Sequence, residues 1–201
     1  MSSHAPVVPA ASRPQHTDLD LVAWMRRHAR LHLDIGTGDG KYALHVARRC
    51  PDTAVVGLDT SLDHLRGAKR RYPANLRFLQ RDACRPLDGG LPVAADVTIN
   101  FPYGRLLSGL VEGDTALLAL LDATVGDRLV VRVNRTAFVA TGLDPERGPA
   151  AILRNLRRIG GLVVTIRELD QAELRSFPST WAKRLGFGRE AGALTLEGTR
   201  R

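Results

Sequence analysis

Cysteine is scarce in this chain of 201 residues: Cys50 and Cys84 are its only two. Two thiols are too few for a disulfide framework, and they lack metal-ligand spacing, so no metal site is expected. No apolar run approaches the roughly 20 residues that a membrane-spanning helix needs. The N-terminus lacks a basic stretch followed by an apolar core, so no secretory signal is read, and the expectation is a cytoplasmic protein with two reduced thiols. Internal repeats are also missing, as is any Ser-His or paired-carboxylate constellation of the kind used in nucleophilic or acid–base catalysis. Acids are in deficit: 29 Lys+Arg face 21 Asp+Glu, giving a net charge of +8 and a pI near 10.4. Such a balance suits a polyanionic partner. Only Lys41, Lys69 and Lys183 are lysines. Codon bias in a GC-rich genome would account for part of the preference for arginine over lysine, but not for the excess of positive charge.

What is present begins with a glycine loop. An apolar run (Leu31, Leu33, Ile35) reads as a buried strand and breaks into Gly36-Thr37-Gly38-Asp39-Gly40; a helical pattern follows at once (Tyr42, Ala43, Val46, Ala47). Glycines there let the backbone turn tightly and approach a ligand at a helix N-terminus, where N–H groups converge. Asp34 lies on the strand just before the loop. Asp59 ends the next apolar run, Ala54–Leu58, at the position where a carboxylate accepts two hydrogen bonds from a ribose diol in doubly wound folds. The G-x-G-x-G spacing departs from the G-x-G-x-x-G of NAD-binding loops.

The length and the 44% hydrophobic content suit one well-cored domain, expected over 17–201, after a Pro-rich disordered tail at 1–16. A first helix is expected from Thr17 or Asp18 to about Arg30. Further helices are expected over 61–72, 113–124 and 146–158, and strands near 76–79, 95–101, 128–134, 162–166 and 193–196. Strand and helix alternate, with two strands close together at the end. That order predicts an α/β fold: a doubly wound, seven-stranded, mostly parallel sheet covered by helices on both faces. Between Ser61 and Arg81, six basic residues (Arg66, Lys69, Arg70, Arg71, Arg77, Arg81) face one acid, Asp63. The run is either a solvated helix face or a phosphate-binding patch.

Three segments carry a resemblance: LDIGTGDGKYALHVAR followed by the Asp59 strand, FPYGRLLSGL (Phe101–Leu110), and STWAKRL (Ser179–Leu185). The first resembles motif I of the class I S-adenosylmethionine (SAM) methyltransferases. In this order the three resemble the aminoglycoside-resistance 16S rRNA methyltransferases that modify adenine 1408 at N1, the kanamycin–apramycin type, with a Rossmann-like fold. The resemblance implies SAM as cofactor, held by Asp34, Gly36, Thr37, Gly38, Gly40, Asp59 and Thr60, with Ala83 and Cys84 bordering its adenine and Asn100 beside it. It implies that Tyr103 and Trp181 are aromatic walls clamping a flipped base. It also implies 16S rRNA in the 30S subunit as partner, gripped through Arg66, Lys69, Arg70, Arg71, Lys183 and Arg184, and a monomeric enzyme.

The sequence departs from that family pattern in four ways. Tyr103 stands where the family has tryptophan, Asn100 stands where it has an apolar residue, the family's opening two-strand hairpin is not legible, and two connections are shorter. Other readings stay open from the residues alone. Trp181 could be a core aromatic, and Pro102-Tyr103-Gly104 an ordinary turn. Asn-Phe-Pro-Tyr also resembles the N-P-P-Y motif of methyltransferases acting on amino groups. Function then divides between the rRNA (adenine-N1) methyltransferase, another SAM-dependent methyltransferase (tRNA, exocyclic amine or small-molecule acceptor), and a non-catalytic SAM- or RNA-binding protein.

Overall fold

The computed structural model describes residues 18–66, 72–85, 91–179, 182 and 192–201. Seven strands form one sheet: β1 Arg30–Ile35, β2 Thr53–Asp59, β3 Leu76–Gln80, β4 Ala94–Asn100, β5 Val125–Asn134, β6 Leu162–Glu168 and β7 Ala193–Arg200. The order across the sheet is β3-β2-β1-β4-β5-β7-β6. The first five in that order run parallel, and β7 lies antiparallel between β5 and β6. The sheet is therefore mixed: mostly parallel, as expected, with β7 antiparallel to both of its neighbours.

Strand β2 shows why the parallel part is central. Ala54 to Leu58 are all buried, with no alternation, because both sheet faces are covered. One face holds the main core, where Leu33, Ile35, Val97 and Ile99 meet Leu107, Leu117, Leu121 and Ile152. On the other, helix α2 (Lys41–Arg49) packs Ala43, Leu44 and Ala47 against Val55 and Leu76. Strand order reverses between β1 and β4: β2 lies on one side of β1 and β4 on the other. The crevice at their C-terminal ends is the place where such sheets bind ligands.

Several expected boundaries move. Helix α1 spans Asp18–Met25 rather than reaching Arg30, because Arg30 already pairs with Thr53 in the sheet. Of the helix expected over 61–72, the described part is α3, Asp63–Arg66, and the chain is again non-helical at Tyr72. The leucine-rich helix expected near 113–124 is α5, Thr115–Thr124, capped by the Asp114 carboxylate, which accepts from the Leu117 N–H. Ahead of it runs an unexpected helix, α4, Gly104–Glu112. It stops at Gly113, whose φ of 76° places it in the left-handed region that favours glycine as a stop. A second unexpected helix, α6 (Arg135–Ala140), follows β5 directly; α7 spans Gly148–Leu156 and α8 Gln171–Ser176. The expected tail at 1–16 lies outside the described residues.

Candidate active site

A cleft of about 680 Å³ opens at the C-terminal ends of β1, β2 and β4, within the size range of small-molecule sites. The glycine loop forms its floor. Ile35 ends β1, and Gly36 and Gly38 take φ of 72° and 54°. A side chain at Gly36 would strike Leu106, whereas Gly38 has open space on its Cβ side, so a ligand can approach its backbone closely. Gly40 is different: a Cβ there would strike Leu65 and Phe78. Its smallness serves packing, and it does not line the cleft.

Three carboxylates stand at the ends of three adjacent strands. Asp34, on β1, is 1% exposed and accepts hydrogen bonds from Thr37 Oγ1 (2.7 Å), Thr98 Oγ1 (2.9 Å) and Asn100 Nδ2 (3.1 Å). Burial nonetheless dominates and pushes its pKa up to about 6. Asp59, ending β2, accepts from the Gly38 N–H (2.8 Å) and the Ser61 N–H (3.2 Å), which ties the glycine loop to the second strand. Asp82 follows β3; it accepts from the Cys84 N–H (2.9 Å) and pairs with Arg85 and Arg105. Sequence reading missed Asp82, although an acid just past a strand end is the signal that singled out Asp59.

Thr37, Thr60 and Ala83 line the cleft, with Asn100 and Tyr103 on its β4 side. Cys84 sits behind it: its side chain is buried against α4, where a Cβ on Gly109 would meet the sulfur at 2.9 Å. Burial raises its thiol pKa. Tyr103 is 61% exposed at the rim, its hydroxyl donating to the Ala140 carbonyl of α6 at 3.4 Å. Phe101, just before it, has a positive φ of 53° and turns the chain from β4 across the cleft. Tyr42, Arg105, Leu106 and Ser179 also line the cleft; all four fall inside the segments that carry the resemblance, but none was singled out as a site residue.

Trp181, Lys69, Arg70, Arg71, Lys183 and Arg184 lie outside the described residues, and so does the side chain of Arg66. Their neighbours are placed. Ser179 reaches the cleft, and Ala182 is fully buried, its N–H donating to Ser179 Oγ at 3.3 Å. Two cations of the expected basic patch are engaged close to home. The Arg77 guanidinium lies 4.9 Å over the Trp24 ring, and Arg81 borders the cleft and donates to the Gln80 carbonyl.

This donor set fits SAM. A buried carboxylate with three hydrogen-bond donors suits a cationic group, a partly exposed one at the end of β2 suits a ribose diol, and the turn at Asp82–Ala83 closes the far end of the cleft.

Comparison with known proteins agrees. The sequence model of a family described as "NpmA: 16S rRNA (adenine(1408)-N(1))-methyltransferase" matches residues 14–200. A 16S rRNA (adenine(1408)-N(1))-methyltransferase of Streptoalloteichus tenebrarius is 28% identical over 188 residues, covering 83% of this chain and 86% of that protein. One from Escherichia coli is 27% identical over 204 residues, covering 84% and 86%. Among solved structures, a tryptophan-to-alanine mutant of the enzyme from Catenulisporales acidiphilia, with cosubstrate SAM, superposes with a TM-score of 0.72 at 23% identity, covering 92% of each chain. The chain belongs to the 16S rRNA (adenine(1408)-N(1))-methyltransferase family of SAM-dependent enzymes.

Proposed function

We propose that this protein methylates N1 of adenine 1408 in 16S rRNA, acting on the 30S subunit as a cytoplasmic monomer, and thereby confers aminoglycoside resistance. The observation that carries the proposal is the cleft at the β1/β4 reversal, ringed by Asp34, Asp59 and Asp82, in a chain matched to this family over residues 14–200. SAM supplies a methyl group on a cationic sulfur. The protein's task is alignment, which by itself can lower a barrier by about 7–11 kcal/mol. Asp34 holds the cationic end, Asp59 the ribose, and the turn at Ala83 borders the adenine ring. Adenine N1 carries a free lone pair at neutral pH, so the reaction needs no general base.

The target base must leave its stack, at a cost of a few kcal/mol. Aromatic faces offset this at about 1–3 kcal/mol per stacked base. We assign that role to Tyr103, exposed at the rim, and to Trp181, which falls in the sequence between Ser179, a cleft residue, and the buried Ala182. N1 methylation leaves the adenine cationic, so the two π-faces favour the transition state over the ground state. The N-P-P-Y reading would instead need the Asn100 amide oxygen to accept from an exocyclic amine. That oxygen already receives Arg132 Nη1 at 2.8 Å, and the amide nitrogen is engaged by Asp34, which favours a ring-nitrogen acceptor.

The test is to incubate the protein with labelled SAM and, separately, 30S subunits, free 16S rRNA, tRNA and no RNA. Label is expected in 30S subunits, with a reverse-transcription stop at adenine 1408. Label on tRNA, or on 30S subunits without that stop, would overturn the proposed target.

A further inference from the structure

Asn100 ends β4 half-buried, and a half-buried amide needs partners on both its atoms. Its nitrogen donates to Asp34, the carboxylate at the cofactor end of the cleft, and its oxygen accepts from Arg132 on β5. The two partners over-determine the amide: a carboxylate demands the NH2 and a guanidinium demands the oxygen. Arg132 then does a second thing. Its guanidinium carbon lies 4.9 Å over the ring of Phe177. Phe177 stacks flat on Tyr42 of α2 (centroids 5.1 Å, planes 6° apart) and meets Phe101 edge-on at 5.6 Å. Tyr42, Phe101 and Ser179, two residues beyond Phe177, all line the cleft. One cation therefore joins β1, β4, α2 and the segment that leaves α8 toward the cleft.

We propose that Arg132 is a positioning residue of this enzyme: it locks Asn100 against Asp34 and clamps Phe177, and so fixes the acceptor wall relative to the cofactor end. Arginine suits this because its planar fork can donate edge-on while its face covers an aromatic ring. A lysine ammonium can satisfy Asn100 or cover the ring, but lacks the geometry for both. The effect on turnover rests on the methyl-transfer reading above; the clamp itself does not.

The test uses the full chain with Arg132→Met, Arg132→Lys, Phe177→Leu and the double variant Arg132→Met/Phe177→Leu. Without any cofactor or RNA, amide hydrogen exchange is followed at Ser179 and Ala182, whose N–H groups are held by the Phe177 carbonyl (2.8 Å) and Ser179 Oγ (3.3 Å). Arg132→Met and Phe177→Leu are each expected to speed exchange there at least tenfold, while the β1 amides stay as protected as in wild type. In methyl transfer to 30S subunits, kcat is expected to fall at least tenfold with SAM affinity within about threefold. Arg132→Lys should restore part of it, and the double variant should be no worse than the poorer single, because the two side chains act as one unit. Unchanged exchange at Ser179 and Ala182 would overturn the clamp, as would SAM affinity falling in step with kcat or additive losses in the double variant. If wild-type protein fails to methylate 30S subunits, the methyl-transfer reading falls, and the exchange experiment still decides the clamp.

Discussion

Asp34 and His32 are two residues apart on β1 and share one hydroxyl. The Thr98 hydroxyl donates to Asp34, so its lone pair faces His32 Nε2 at 3.1 Å, and neutral His32 must be the donor there. Burial acts on the two in opposite senses, pushing Asp34 up to about 6 and His32 down to about 4. Between pH 4 and 6 native Asp34 keeps a proton that the unfolded chain has lost, so its contribution to stability falls as pH rises through 6. Native His32 lacks a proton that the unfolded chain carries below about 6.5, so its contribution falls as pH drops toward 4. The two slopes oppose each other, and the pair leaves little pH dependence in stability over that window. If Asp34 holds the cationic end of SAM, as proposed, cofactor affinity behaves otherwise, because the cation needs the ionised form. SAM should bind roughly tenfold more weakly at pH 5 than at pH 7, following a pKa near 6. Asp34→Asn should bind weakly at both. Calorimetry across pH 5–8 checks this, and a flat wild-type profile would place the cation elsewhere.

Among the elements, the strands and the glycine loop were legible because each declares itself within a few residues: an apolar run, then glycines, then an acid. Helices α4 and α6 were not, for a local reason. Residues 101–110 stood out as a motif, and the glycine at 104 masked the helix it begins, whose end is set by Gly113 rather than by any change in hydrophobicity. The site's far half was illegible for a topological reason. Asp34 and Asn100 are 66 positions apart and Asn100 and Arg132 are 32 apart, meeting only because β1, β4 and β5 are sheet neighbours. No periodicity or spacing encodes such a meeting. The segment after α8 bears the most exposed prediction. If Trp181 and Tyr103 sandwich the base, Trp181→Ala should abolish most methyl transfer while SAM affinity and Tm stay near wild type, since the lost contacts are with RNA. Trp181→Phe should keep part of the activity, and Tyr103→Trp should equal or exceed wild type. A core tryptophan would instead cost about 3–5 kcal/mol on truncation to alanine. That is roughly 10 °C in Tm at this chain length, and a thermal melt separates the two.

At the level of the whole molecule, the excess charge of +8 does not translate into eight free cations. Arg128, Arg135, Arg167 and Arg200 each pair with an acid, and Arg77 covers Trp24. Exposed pairs of this kind contribute little to stability, with a median near 0–1 kcal/mol, yet they remove charge from the field that a polyanion meets. RNA binding should therefore depend on a subset, which we place at Arg66, Lys69, Arg70 and Arg71 with Lys183 and Arg184. Each phosphate contact contributes about −0.7 to −0.9 to the slope of log affinity against log salt. Reversing Lys69 and Arg70 to glutamate should make that slope shallower by about 1.4 to 1.8 if both touch phosphate, while SAM affinity stays unchanged. Reversing Arg128 and Arg167, already paired with Glu197 and Glu173, should change the slope far less. Binding of 30S subunits measured from 50 to 200 mM salt distinguishes the two sets. Equal effects from both pairs would mean that RNA responds to net charge rather than to this set of residues.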